Sequence, residues 1–226
     1  MAIKILSDTS LEPISMIGMY AGLCWGTDTS DPSKNFKRGL ECIENNHGRT
    51  LEFPQIYIEI SGYSARVMRE LYTHIGGAPT RLQESTRYVD CSESGYVELP
   101  NKYSKEINDR YHEMMYHIFS AYEELLDRGV SKEDAANVLP LGMNSKMVLR
   151  TNLRQLIDMM HSRLCSRAYW EFRELMEELK SKLSNYMMDK EWKYICEHYF
   201  VPKCESLGYC TEKYSCGRKP KKELTV

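Results

Sequence analysis

Two periodicities divide this chain. Between Phe53 and Tyr63 the pattern alternates, with Ile56, Ile58 and Ile60 set against Gln55, Tyr57 and Glu59, which predicts a strand with one buried face. Ile3–Leu6 and Lys146–Thr151 predict two more strands, and Tyr88 to Val97 predicts another before and around a Ser-Glu-Ser-Gly turn. Elsewhere the apolar steps are three and four. From Lys102 to Arg128, Ile107, Tyr111, Met114, Ile118, Tyr122 and Leu125 form an amphipathic stripe that Gly129 closes. Pro13 to Trp25 predicts a helix, and Asp31-Pro32 opens another that runs to Glu44. A helix from Ser64 to Ile75 leads into Gly76-Gly77. Ser131 with Asp134, and Asn152 with Gln155, have the spacing of a helix cap and its third residue. The helix after Asn152 carries Leu156, Met160 and Leu164; its successor, Ala168 to Leu183, carries Phe172, Leu175 and Leu179. The fold class is therefore α/β (α+β): one domain with a short mixed or antiparallel sheet and long helices to one side.

Composition narrows the function. With 226 residues the chain can bury a full core, and its net charge of -2 gives no electrostatic footprint for nucleic acid. No apolar run approaches the roughly 20 residues of a membrane span, and no signal-peptide pattern precedes the first strand. The eight cysteines then read as reduced thiols of a cytoplasmic protein. From Cys204 to Val226 the composition shifts toward Gly, Lys and Cys, so a domain over 1–200 is expected to carry a tail over 201–226. Cys196, His198, Cys204, Cys210 and Cys216 are possible zinc ligands, but without a Cys-x-x-Cys pair the spacing favours free thiols and no metal. The basic run Arg218 to Lys222 is a solvated tail.

The stretch from Arg69 to Tyr88 holds the candidate chemistry. Gly76-Gly77 lets backbone approach a ligand, and the His, Gln, Glu, hydroxyls and Arg around it suit a phosphate plus a planar base. An ordinary surface loop explains the composition equally well. Arg163 by itself reads as a surface ion-pair partner, and Arg154, Asp158 and His161 as a solvated ladder on one helix face. His74 alone reads as a packed histidine, Asn152 as a cap, Arg87 as a strand-edge ion pair and Ser85 as a turn hydroxyl.

Taken together and in order, these patches resemble the flavin-dependent thymidylate synthase family (ThyX). Ser85-Thr86-Arg87-Tyr88 matches the end of the family's RHRxxSxxxxSxRY signature, and His74 its central His. His47 with Glu52 is similar to GHxSxxEH, Val138-Leu139-Pro140 to VLP, Asn152-Leu153-Arg154 with Arg163 to NxR…R, and Ala168-Tyr169-Trp170-Glu171 to AQWE. The likeness covers roughly residues 1–200. There are departures. Thr73 and Ile75 replace the two Arg of RHR, Gly76-Gly77 look inserted, Ala136 stands at another Arg position, and Arg49 takes a hydroxyl position. Arg66, Arg69 or Arg81 would have to restore the missing charge.

The resemblance implies reductive methylation of dUMP to dTMP, with methylene tetrahydrofolate as carbon donor, NADPH as reductant and FAD between them, in a homotetramer with shared active sites. It implies Arg163 as the catalytic group that stabilises ionised uracil. His47, Thr73, His74, Ile75, Gln83, Asn152, Arg154 and Asp158 become candidate flavin contacts. Glu70, Thr73, Gln83, Glu84, Ser85, Thr86, Arg87 and Arg163 become candidate nucleotide contacts. Two rivals stay open: a relative that modifies the pyrimidine differently, for example by hydroxymethylation, and a noncatalytic helical interaction protein.

Overall fold

Burial follows the alternation: Ile56, Ile58 and Ile60 are buried, while Gln55, Tyr57 and Glu59 stay partly exposed. The computed structural model describes residues 1–222. Its strands are β1 (Ala2–Ile5), β2 (Gln55–Ser64), β3 (Thr80–Gln83) and β4 (Asn144–Asn152), paired as an antiparallel sheet in the order β1-β2-β4-β3. The helices among the described residues are α1 (Pro13–Cys24), α2 (Pro32–Glu44), α3 (Ala65–Leu71), α4 (Lys105–Asp127), α5 (Lys132–Ala135), α6 (Leu153–Arg163), α7 (Trp170–Ser184), α8 (Lys190–His198) and α9 (Lys203–Leu207). The chain divides into two compact units, one of residues 1–2, 59–73 and 81–148, the other of 3–58, 74–80 and 149 onward.

In the first unit α4 supplies the core. Met115, Phe119 and Tyr122 pack with Cys91, Ala135 and Met143, and the Tyr122 hydroxyl accepts the Cys91 amide at 3.3 Å. Of the stripe the sequence predicts, Tyr122 is buried and Tyr111, Ile118 and Leu125 pack against this core, whereas Ile107 and Met114 are exposed and Met115 and Phe119 take the inner positions. Ser104 caps the start of α4 by accepting from the Ile107 amide at 3.4 Å. Ser131 likewise accepts from the Asp134 amide at 3.2 Å.

In the second unit α6, α7 and α8 bury Leu156, Met160, Phe172, Leu175, Leu179, Trp192 and Ile195. Helix α1 has no cap of its own. The Glu191 carboxylate, at the start of α8, accepts from the amides of Ile14 and Ser15 at 2.6 and 2.9 Å and from the Ser15 hydroxyl. Asp189 accepts the Glu12 amide at 2.6 Å and also caps α8. Two acids far along the chain thus complete the first turn of α1. At the sheet edge, the Glu178 carboxylate accepts the Ile3 amide at 2.9 Å.

Two sequence expectations fail. The helix expected over Ser64–Ile75 stops at Leu71, because Thr73 folds back and both its amide and hydroxyl bond the Glu70 carbonyl, at 3.0 and 2.7 Å. No strand runs from Tyr88 to Val97. That segment makes turns and a single bridge, Tyr96 to Met143. The strand lies instead at Thr80–Gln83, inside a polar run that reads as loop; its one large apolar residue, Leu82, is 71% exposed, so alternation gives no signal. The segment after residue 200 holds α9 and a parallel bridge between Cys210 and Lys221.

Candidate functional site

Loop 74–80 lies along one face of α6. β4 passes into α6 without a linker, and Asn152 caps the helix by accepting the Gln155 amide at 2.9 Å. Gln155 and Arg163 are two turns apart on the same side. The loop meets that side in reverse order. His74 Nε2 accepts from Arg163 Nε at 3.0 Å, and Asn152 Nδ2 donates to the Gly77 carbonyl at 3.3 Å. Arg150, on β4, donates to the Ala78 carbonyl at 3.0 Å.

The glycine pair serves this contact. A β-carbon on Gly76 would lie 2.1 Å from Gln155 Oε1, and one on Gly77, at φ +66°, 2.3 Å from Asn152 Nδ2. The space that the sequence assigns to an approaching ligand is therefore filled by the chain's own amides. Gly77→Ala adds a left-handed penalty to that clash and is expected to cost about 1–3 kcal/mol, read by chemical denaturation.

Buried Phe172 supports both partners of the contact. The Arg163 guanidinium sits 4.6 Å from its ring centre, and the His74 ring meets it edge-on at 5.7 Å. Because Nε2 accepts, this arrangement belongs to the neutral imidazole with its proton on Nδ1. Arg163 is half-buried, with a planar donor fork held in place.

A second face of the unit carries His47, Arg154 and Asp158, all exposed. Arg154 pairs with Glu52 at 2.7 Å, which ties α6 to the loop after α2. Exposed Trp25 lies 6.4 Å from the His47 ring, near edge-on. Ile75 is 76% exposed.

The remaining predicted positions belong to the first unit. Glu84, partly buried, holds the Lys146 ammonium at 3.6 Å, and its amide donates to the Lys146 carbonyl at 2.9 Å. Ser85 accepts the Arg87 amide on its hydroxyl at 3.3 Å and the Tyr88 and Val89 amides on its carbonyl, so Thr86 and Arg87 sit on a tight turn. The Arg87 side chain pairs with Glu133 at 3.0 Å. Gln83 ends β3, and Glu70 faces Arg66 at 3.7 Å. A cavity of about 310 Å³ adjoins the turn, lined by Glu84, Val89, Asp90, Asn144 and Lys146 among others. The Ser92 hydroxyl and amide hold the Asp90 carboxyl below its usual range. Of the cations considered as replacements, Arg81 stacks 5.2 Å from the Tyr72 ring, and burial lowers its pKa.

The profile of the family described as thymidylate synthase complementing protein matches residues 5–187. The chain belongs to this family. A flavin-dependent thymidylate synthase of Pyrococcus furiosus is 30% identical over 203 aligned positions, covering 84% of this chain and 79% of the relative. One of Nitratidesulfovibrio vulgaris is 30% identical over 245 aligned positions, with 96% and 95% covered. The fold is similar to that of flavin-dependent thymidylate synthase ThyX from Helicobacter pylori, complexed with FAD and dUMP, at a TM-score of 0.68 and 19% identity over 88% of this chain and 99% of that one.

For a member of the thymidylate synthase complementing protein family, three contributors here escape motif reading. Phe172 reads as plain core, Gln155 as the third residue of a cap, and Arg150 as a strand position. Only the approach of loop 74–80 gives them their second role. Burial pushes the thiols of Cys42, Cys91 and Cys196 up, the last to about 12, which leaves no thiolate at those places. Among the described residues no group of three or more His, Cys, Asp or Glu is arranged to hold a metal ion, and no helix is long and apolar enough to cross a membrane.

Proposed function

We propose that this chain is a flavin-dependent thymidylate synthase that methylates dUMP to dTMP, taking the carbon from methylene tetrahydrofolate and reducing power from NADPH through FAD. The observation that carries the reading is the family match over residues 5–187. The half-buried Arg163 fork on Phe172, beside a neutral His74, is consistent with it.

Each side chain has a stated task. Arg163 offers fixed donors to the uracil oxygens where negative charge develops, and His74 keeps its Nε from turning away. Ser85, Thr86 and Arg87 receive the nucleotide phosphate, while Glu70, Thr73, Gln83 and Glu84 face sugar and base. Flavin needs cations for its phosphates and flat faces for its rings. Arg154, His47 and the exposed Trp25 ring provide that chemistry, and the family resemblance assigns Asp158, Ile75 and Thr73 to the same cofactor. Asn152 contributes by anchoring the loop, since its amide is already engaged at both ends. When bound, the flavin relays hydride. The domain extends over 1–200 with 201–226 as an appendage, and the enzyme is a cytoplasmic homotetramer with shared sites.

The neutral Thr73 and Ile75 favour one second reading, a different modification of the same nucleotide, and the mass of the product separates the two. The decisive experiment is a visible spectrum of the purified protein. Flavin absorbance that NADPH bleaches, faster with dUMP present, is the expected result. Protein that neither purifies with flavin nor takes it up from solution would overturn the proposal.

A further inference from the structure

A cavity of about 260 Å³ in the second unit lies where the end of α6 meets the segment after α8, and most of its wall falls beyond residue 187, where the family match ends. Four thiols line it: Cys165, Cys204, Cys210 and Cys216. Arg167, Lys203, Arg218 and Lys219 line it too, against a single carboxylate, Glu212. Some of this charge is engaged, because Arg218 pairs with Glu205 at 3.7 Å and Arg167 stacks 5.7 Å from Tyr214. The surplus is still cationic.

The thiols differ in access. Cys210 is buried, Cys165 and Cys204 are intermediate, and Cys216 is exposed. Hydrogen bonds from the Ser166 side chain and the Arg218 backbone, helped by the Arg218 charge, hold the Cys216 thiol below its ordinary range, whereas burial raises Cys204. The accessible member is thus the nucleophilic one.

We propose that this cavity is a thiol–disulfide exchange site, at which Cys216 takes up a small, carboxylate-bearing thiol from its disulfide. The Cys216 thiolate attacks one sulfur of the incoming disulfide. A protein–ligand S–S bond forms, the original S–S bond breaks, and the second thiol leaves as thiolate with the electron pair, so no further oxidant is needed. The cations attract the ligand's carboxylates and stabilise that leaving anion. Cys204, which lines the same cavity, can then exchange onto the adduct and expel the first thiolate, which leaves an internal disulfide.

Oxidised glutathione is a suitable probe of the full-length protein, and exposed Cys24 is the internal control. Peptide mapping without reductant is expected to find Cys216 as a disulfide, to glutathione or to a cavity thiol, at roughly ten times the rate of Cys24. Cys216→Ser should remove the fast phase. Arg167→Gln with Lys219→Gln should slow oxidised glutathione severalfold, yet leave the uncharged 2-hydroxyethyl disulfide unaffected. Equal rates at Cys216 and Cys24, or an unchanged fast phase in Cys216→Ser, would overturn the proposal. Release of stoichiometric zinc on alkylation would also overturn it, since the thiols would then be ligands. None of these readouts depends on flavin or dUMP.

Discussion

Arg163→Ala is expected to lower turnover by about 10²–10³, the loss typical of removing one preorganised donor from a developing oxyanion. The size follows from how the group is held. Its guanidinium rests on buried Phe172 and its Nε is committed to His74, so the planar fork is held in place before substrate arrives. Lysine should restore little, because a point charge on a flexible stem offers neither the paired donors nor the ring contact. Ser85→Ala should be milder and fall mainly on dUMP affinity, since that hydroxyl is one of several groups assigned to the phosphate. Steady-state kinetics on protein loaded with flavin makes the comparison. Equal losses at the two positions would remove electrostatic activation by Arg163 from the mechanism.

Glu191→Ala carries the largest expected stability loss, about 3 kcal/mol or more, because two amides and a hydroxyl lose a charged acceptor in a buried setting. Urea denaturation followed by circular dichroism measures it. There is a pH signature as well. Burial is the leading influence and lifts the Glu191 carboxyl above its ordinary 4.5, while the donors from Ser15 and Ile14 pull it partly back. The folded state therefore holds this proton more tightly than the unfolded chain does. The resulting stabilisation is complete below 4.5 and declines as pH rises through the folded value. Wild-type protein should show that decline in mildly acidic buffer, and Glu191→Gln should lack it.

Where structure was set by neighbours in sequence, the chain was legible. The Ile56-Ile58-Ile60 alternation, the extent of α4 and the caps at Ser131 and Asn152 each depend on a few adjacent residues. Which face of α4 turns inward did not, since Met115 and Phe119 are buried in place of Ile107 and Met114. What could not be read depended on distant partners. Thr80–Gln83 becomes a strand only through β4, and nothing local in Thr-Arg-Leu-Gln records that pairing. Glu191 is an ordinary acid of a helix start until α1 presents its open amides. At the candidate site, the motifs singled out His74 and Arg163 separately. Their bond, and the part played by Phe172, depend on a loop laid backward along α6. The Gly76-Gly77 pair points in sequence to a ligand held close to backbone, whereas the groups that come close are Asn152 and Gln155.

The Glu178 carboxylate that holds the Ile3 amide has a bearing on handling. β1 is four residues long and forms the rim of the sheet, the place where a stray strand from another molecule would begin to zip on. With an anion seated over an outward amide, an intruder would have to evict a charge before its first rung could close. Concentrated stocks should accordingly resist ribbon-like self-association along this border.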